Sequence, residues 1–251
     1  MSSLIRWIFF VFIIAISSVS VGKELVINDP RVVDTVGLAG LKDKKHLIDA
    51  SRAGIWFLQR EYPERWSAVK DNEFELMRLT KKIADDFFKQ INKYSQEYLN
   101  NKAVFVLRLR TEFGKYDFSR KAFPLKLANE NSYVCLDGDK LVCKFIRWLV
   151  CPKLTFDNTN EFSSELPMNP DNAEKFLMKR RRRYGDFNRE LIAVYRFTIT
   201  KIDESVEPIN SCYPQNRCWC LEPKLVGHIV SIEIFDPVEN RVIYKVPKIK
   251  R

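Results

Sequence analysis

The apolar and polar positions of the chain follow two spacings, one before residue 100 and another after it. In the first part, apolar residues recur every three or four positions and therefore share one face of a helix. The most regular stripe consists of Leu76, Leu79, Ile83, Phe87, Ile91, Tyr94 and Tyr98. Asn72, followed three residues later by Glu75, has the arrangement of a capping box. The sequence predicts a long helix that begins here and packs this stripe into a core.

Two shorter helices are predicted from similar signals. Residues 45–59 have apolar positions at helical spacing, and Pro63 interrupts that pattern. The stretch MNPDNAEKFLMKRRRRYG combines a cap at Asn169 or Asp171 with Pro170 near the first turn. We therefore expect a bend near Pro63 and a short helix after Pro170.

From Ala103 onward the spacing becomes two, which is typical of strands. The stretch AVFVLRLRTEF places Phe105, Leu107 and Leu109 on one face, with arginines on the other. ELIAVYRFTITKI continues the alternation, and HIVSIEIFDPVENRVIYKV does so as a hairpin with its turn at DPVEN. Another hairpin is predicted in SYVCLDGDKLVCKF, around the DGD turn.

These elements predict an α+β fold in which N-terminal helices pack on a mainly antiparallel, disulfide-stabilised sheet. No internal repeat and no linker rich in Ser and Gly divides the chain. We expect a signal peptide at 1–22 and a single domain at 23–251. Its mainly helical part is 23–100 and its mainly sheet part 101–251.

The N-terminus indicates export. Arg6 is followed by sixteen uncharged residues, and the apolar stretch from Trp7 to Ile16 has the length of a signal-peptide core. It is shorter than the roughly 20 apolar residues of a transmembrane helix, and small residues such as Ser18 and Ser20 suit a cleavage site. We expect a periplasmic or secreted protein whose mature chain has no transmembrane span. An uncleaved N-terminal membrane anchor is the alternative.

Cysteine usage fits an oxidising compartment. The six cysteines are Cys135, Cys143, Cys151, Cys212, Cys218 and Cys220. An even set in an exported chain favours disulfides over metal ligands, and CYPQNRCWC lacks the usual C-x2-4-C spacing of a zinc site. The predicted DGD hairpin places Cys135 opposite Cys143, close enough for a disulfide. The remaining connectivity stays open.

The charge of the chain is strongly positive. The formal net charge is +10, and the densest basic run consists of Lys179, Arg180, Arg181, Arg182 and Arg183. One interpretation is the solvated last turn of a helix, where cations complement the helix dipole. The other is a docking patch for an anionic envelope surface or an acidic protein. Nucleic acid is not an expected partner of an exported protein.

Several segments resemble a known family when taken in order. GKYDFSRKAFPL, ELPMNPDNAEKFLMKR, ELIAVYRFTITKI and VSIEIFDPVENRVIYKV resemble small exported bacterial proteins known only as a domain of unknown function. The resemblance covers roughly residues 100–247. It implies export and a single folded domain, and it carries no functional site. In the first segment, Tyr116, Phe118 and Phe123 either pack over a sheet edge or form a stacking surface for a ligand.

Catalytic motifs are scarce in the sequence. The two histidines, His46 and His228, lie outside metal-ligand motifs, and no G-x-S-x-G, Walker or dinucleotide-binding signature occurs. We therefore expect no metal, no cofactor and no defined catalytic residue. The sequence favours a non-catalytic, envelope-associated or secreted binding module of unknown function. A secreted hydrolase with an unrecognised site, such as His228 paired with a cysteine, is the alternative.

Overall fold

The computed structural model describes residues 25–27, 29–40, 50–99, 102–136, 153–183, 185–206 and 221–249. The helices in these ranges are α1 (Pro30–Ala39), α2 (Ala50–Glu61), α3 (Pro63–Val69), α4 (Glu73–Tyr98) and α5 (Pro170–Met178), and a 3-10 turn spans Thr159–Glu161. The strands are β1 (Leu25–Val26), β2 (Phe105–Glu112), β3 (Ala122–Pro124), β4 (Val134–Cys135), β5 (Lys153–Phe156), β6 (Glu165–Pro167), β7 (Glu190–Val206), β8 (Leu221–Asp236) and β9 (Arg241–Val246).

The main sheet has the strand order β1-β2-β7-β8-β5-β4, and β9 pairs with β8. Its pairings are antiparallel except for β1 with β2 and β5 with β8, which are parallel. Strands β3 and β6 form a separate antiparallel pair. The α+β class and the mainly antiparallel sheet are therefore confirmed.

The caps predicted from sequence begin the helices as expected. The Oδ1 atom of Asn72 accepts a hydrogen bond from the backbone N–H of Glu75 at 3.1 Å, and α4 follows. Asn169, not Asp171, caps α5, because its Oδ1 atom accepts from the N–H of Asn172 at 2.9 Å. Pro63 opens α3 directly after α2 ends.

Helix α1 was not predicted. Asp29-Pro30 looks like a break in sequence, yet Pro30 is the first residue of α1, a position where the missing N–H costs nothing. Val33 and Val36 on this helix are buried against the sheet core. Strand β8 likewise begins at Leu221, well before the predicted start at His228.

Two apolar clusters hold these layers together. The larger one lies between the sheet, α1 and α5 and contains Phe105, Tyr195 and Phe176. The smaller one joins α2, α3 and α4 through residues such as Trp56 and Phe87, whose rings meet edge to face at 6.1 Å. The stripe predicted for α4 therefore packs as core. Among the described helices, none is long and apolar enough to cross a membrane.

The predicted disulfides and signal peptide mostly fall outside the described residues. Cys135 lies on β4, opposite Lys153 of β5. Cys143, Cys151 and the three cysteines of the 211–220 stretch lie outside, as do residues 1–24. The pairing of Cys135 with Cys143 therefore stays a prediction.

Candidate functional site

A cleft of about 830 Å³ lies between α5 and the β8–β9 hairpin. Its lining consists of Pro167, Met168, Asn169, Asn172, Lys175, Phe176, Met178, Lys179, Glu239, Arg241 and Ile243. A cleft of this volume is within the usual range of small-molecule sites, about 300–1,000 Å³. It is larger than a second cleft of about 390 Å³ beside Thr35, Arg60 and Tyr94, and it is the candidate binding site considered below.

The first wall of the cleft is α5, and its position is fixed at both ends. The hydroxyl of Tyr116 donates a hydrogen bond to the backbone carbonyl of Met168 at 2.7 Å, just before the helix begins. Farther along, the ring of Phe176 packs against Phe113 and Phe123, with centroids 5.3 and 5.8 Å away. The cleft wall is thus anchored to the core.

The second wall of the cleft is the β8–β9 turn, whose backbone is held by hydrogen bonds to a single carboxylate. Asp236 accepts hydrogen bonds at Oδ1 from the N–H groups of Val238 and Glu239, at 2.8 and 3.3 Å. Asn240 then adopts a left-handed conformation with φ of 52°, which asparagine tolerates well. Because the turn is held in this way, Glu239 and Arg241 are placed at the cleft.

Charge in the cleft is arranged around Glu239. Its carboxylate accepts from Lys179 Nζ at 2.7 Å and from Arg241 Nε at 2.7 Å. The pKa of Glu239 is lowered, first by the hydrogen bond from Lys179 and then by that from Arg241. Lys175 adds a third cation to the lining. Three cations and one carboxylate leave an excess of two positive charges at the cleft.

The rest of the lining is largely apolar. Met168, Phe176 and Ile243 are buried or half-buried, and Met178 is 54% exposed. Apolar surface next to excess positive charge suits a ligand with an apolar body and an anionic group.

The prediction that all five residues of the basic run are exposed is wrong for Arg180. Its side chain is 1% exposed and forms an ion pair with Asp236, which is fully buried. The guanidinium also lies over the ring of Phe176, 4.2 Å from its centroid. After α5 ends, the backbone carbonyl of Arg180 accepts from Asn188 N at 2.8 Å, and the residue turns inward. Arg180 is therefore a core residue.

The other members of the run have separate environments. Lys179 lies at the cleft, whereas Arg181, Arg182 and Arg183 are exposed beyond the helix. A turn follows, closed by a hydrogen bond from Gly185 N to Arg182 O at 3.0 Å. Docking of the three exposed arginines on an anionic surface stays a prediction.

The predicted aromatic loop is divided between core and surface. Phe123 is fully buried, Tyr116 is half-buried, and Phe118 is 76% exposed. The ring of Tyr116 lies 5.0 Å from each of the other two. Asp117 caps the turn, because its Oδ1 atom accepts from Ser119 and from Arg120 N. The loop thus anchors the start of α5 and leaves one aromatic ring on the surface.

His228 lies in a polar cluster that sequence alone did not reveal. Its Nδ1 atom is 2.9 Å from Asp157 Oδ1, and its Nε2 atom is 3.3 Å from Asn158 Nδ2. Asn158 Nδ2 has two hydrogens and three acceptors within reach, which are Ile229 O, Glu161 Oε2 and His228 Nε2. Asp157 is therefore the partner of Nδ1, whereas Nε2 shares the Asn158 amide with Glu161.

Asn158 has a structural role in the same cluster. Strands β5 and β9 pair with the same edge of β8, and Ile229 lies between their registers. Asn158 fills this gap: its Oδ1 accepts from Ile229 N at 2.8 Å and its Nδ2 donates to Ile229 O at 3.0 Å. The Asn158 side chain thus forms the two hydrogen bonds with Ile229 that the backbone of a neighbouring strand would otherwise form.

The cluster does not resemble a metal site. Glu161 approaches Asn158 and Lys248 at 3.3 Å each, and the pKa of Glu161 is lowered, chiefly by the hydrogen bond from Asn158. Within the ranges that the structure describes, no group of three or more His, Cys, Asp or Glu residues could hold a metal ion.

Sequence reasoning missed Asp236, Glu239 and Arg241. The only signal was the DPVEN turn itself, in which an aspartate at the first position commonly bonds to backbone N–H groups. That signal predicts a turn but not the buried partner Arg180, and it does not place the turn beside α5.

Comparison with known proteins identifies one family. Residues 57–179 match the model of a family described as a domain of unknown function (DUF4852). The resemblance to an uncharacterised family is thus confirmed, although the matched range begins and ends earlier than the expected 100–247. It includes α5 and ends at Lys179, so β7, β8 and β9 lie beyond it. No curated protein and no solved structure matches the chain significantly.

Proposed function

We propose that this protein is a non-catalytic binding module whose cleft between α5 and β9 holds a small amphipathic anion. The ligand has an acyl-like apolar body and a carboxylate or phosphate head group. The observation that supports the proposal most directly is the pairing of excess positive charge with apolar surface in one cleft.

The head group is expected to contact the exposed cations. Lys179 and Arg241 are 62% and 65% exposed although both pair with Glu239. Because Glu239 is only 17% exposed, the ligand anion is expected to share these two cations with Glu239 from their exposed side and not to displace it. Lys175 has no ion-pair partner among the described residues and is free to contact the head group.

The apolar body is expected to lie on Met168, Phe176, Met178 and Ile243. When the ligand covers Met178 and Ile243, each Å² of apolar surface removed from water contributes about 25 cal/mol to binding. The cations orient the ligand and the apolar floor contributes much of the affinity, as in most small-molecule sites.

Binding is favoured over catalysis because no described acid–base pair faces the cleft. Glu239 is ion-paired on both oxygens, and His228 is not among the residues that line the cleft. General acid–base chemistry needs a group within hydrogen-bond reach of the substrate and free to exchange a proton.

The proposal is tested by titrating the protein calorimetrically with decanoate and decyl phosphate below their micelle concentrations. We expect both to bind, and decanol and inorganic phosphate to bind far more weakly, because each lacks one half of the recognised chemistry. Replacing Lys175 and Lys179 by glutamine is expected to weaken decanoate binding about tenfold, or roughly 1.4 kcal/mol.

The matched control replaces Lys81 and Lys82 by glutamine, two exposed lysines of α4. This variant is expected to bind decanoate as the original protein does. Met178→Asn is expected to weaken the binding of decanoate and decyl phosphate, and inorganic phosphate is still expected to bind far more weakly. Equal affinity for decanol and decanoate, or an equal loss in both lysine variants, would contradict the proposal.

We further propose that the module is exported, either to the envelope or to the medium, and that its six cysteines form disulfides. The support is the N-terminal apolar stretch after Arg6 and the even cysteine count. N-terminal sequencing of exported material is expected to begin near Val21 or Lys23, and alkylation without reductant is expected to label no thiol. Intact Met1 in a membrane fraction would favour the anchor, and labelling of all six cysteines would rule out the disulfides.

A further inference from the structure

The main sheet has a face that belongs to neither apolar core. Residues that alternate with the core residues of β2, β7, β8 and β9 point to this side. Its apolar members include Val106, Ile192, Val194, Phe235 and Val242, and none of them is part of either core cluster. We call this surface the open face.

Strand register brings these apolar residues together. Ile192 lies opposite Phe235, and Phe235 lies opposite Val242, so three strands contribute neighbouring side chains. Val194 is two residues along β7 on the same side. Val242 is 43% exposed, and Ile192 and Phe235 are half-buried. Val194 is only 8% exposed, so the strip is accessible mainly at Val242, Ile192 and Phe235 and does not protrude far.

Cations border the strip on both sides. Arg108 and Arg110 lie on β2, opposite Val194 and Ile192, and both are exposed. No ion-pair partner of either is found among the described residues. On the far side, Glu233 pairs with Arg196 at 2.7 Å and with Lys245 at 3.4 Å. Arg108 and Arg110 therefore add two positive charges beside the strip.

One end of the open face has the opposite charge. Beyond Arg110, Glu112 lies opposite Glu190, and Lys126 pairs with Glu112 at 2.8 Å. Charge is therefore distributed unevenly over the open face: arginines lie beside the apolar strip, and glutamates lie beyond its end.

We propose that the open face docks an acidic amphipathic helix of another protein. The apolar side of such a helix covers Ile192, Phe235 and Val242, as helices cover sheet faces in two-layer folds. Its acidic side chains pair with Arg108 and Arg110 at the border. Guanidinium groups suit this contact because they bind carboxylates through two parallel hydrogen bonds.

Other occupants fit the same surface less well. A second copy of the chain would add its own positive face to one that is already positive, and like charges at an interface are repulsive. Single-stranded nucleic acid needs aromatic platforms for its bases, whereas the strip offers aliphatic side chains and one half-buried phenylalanine. A bilayer is bound by apolar residues that reach into it, and these do not protrude.

The open face is separate from the ligand cleft. Adjacent residues of β9 belong to different surfaces: Ile243 lines the cleft, whereas Val242 lies on the open face. The two proposals can therefore fail independently.

The test measures fluorescence anisotropy of labelled helical peptides with the full chain. One peptide has leucines along one side flanked by glutamates, the second has lysines in place of the glutamates, and the third has the first composition in scrambled order. We expect only the first to bind well, and its affinity to fall with added salt. Reversing both arginines, with Arg108→Glu and Arg110→Glu, is expected to weaken binding at least about tenfold.

Two controls make the result specific. The matched variant with Arg181→Glu and Arg182→Glu reverses two exposed arginines elsewhere and is expected to bind the peptide normally. The variant reversed at the open face is expected to keep the circular dichroism spectrum and the thermal unfolding midpoint of the original protein, which shows that its fold is intact.

Three outcomes would overturn the proposal. Equal binding of the scrambled peptide would show attraction by charge alone, and equal losses in the two reversed variants would place the contact elsewhere. Retention by vesicles containing phosphatidylglycerol, lost on reversal of Arg108 and Arg110 without any peptide binding, would identify a membrane as the occupant.

Discussion

Arg180→Met is expected to lower the free energy of unfolding by about 3–5 kcal/mol, because it leaves a buried carboxylate without its counter-ion. The partner is Asp236, which is fully buried, and the methionine keeps the length of the side chain but not the charge. Arg182→Met is the matched control, since Arg182 belongs to the same basic run but is exposed. Its effect is expected to be within about 0.5 kcal/mol.

The measurement is urea denaturation followed by circular dichroism. A second variant separates the charge effect from lost packing: Asp236→Leu added to Arg180→Met removes both charges and is expected to recover part of the loss. Recovery is incomplete because Asp236 also accepts from Val238 N and Glu239 N. Equal effects of Arg180→Met and Arg182→Met would show that the ion pair does not stabilise the fold.

Asn158→Ala is expected to lower the free energy of unfolding by about 2–4 kcal/mol, because it leaves two buried backbone groups without partners. Both groups belong to Ile229, which is fully buried on β8. Asn160→Ala is the control, because Asn160 is exposed and donates only to Glu130 in the described structure.

Asn158→Asp tests the same role more finely. Aspartate keeps the acceptor for Ile229 N but loses the donor to Ile229 O, and it brings a carboxylate near Glu161. It is expected to destabilise the protein and to do so more as pH rises through the acidic range, since ionisation removes any remaining donor. Thermal unfolding between acidic and neutral pH measures this. Identical stability of the Asn158→Ala and Asn160→Ala variants would refute the stabilising role of the hydrogen bonds between Asn158 and the Ile229 backbone.

Several elements were predictable because their signals are local. The α4 stripe and the Asn72 and Asn169 caps depend on residues three or four positions apart, and the alternation in β2, β7 and β9 depends on residues two apart. Helix α1 was missed because Pro30 and the two glycines that follow it suggest breaks in a helix. Proline, however, also suits the first turn of a helix.

The candidate sites were only partly predictable. The sequence marked Lys179 as functional, but the cleft became visible only when β9 was placed beside α5. The alternation in β2 predicted that Arg108 and Arg110 share one face. It did not show that Ile192, Phe235 and Val242 lie beside them, because strand order and register join distant segments.

By itself, the sequence determined the α+β class, the helices α2, α4 and α5, the strands β2, β7, β8 and β9, and the caps that begin two helices. Only the tertiary structure decided which residue of the basic run is buried. In KRRRR the four arginines have identical chemistry and nearly identical neighbours, so no local pattern separates Arg180 from Arg181. The difference arises because the chain leaves α5 in a turn that directs one guanidinium toward Asp236, a partner supplied by the far end of β8. Burial of a charge depends on such a distant partner, and periodicity contains no information about it.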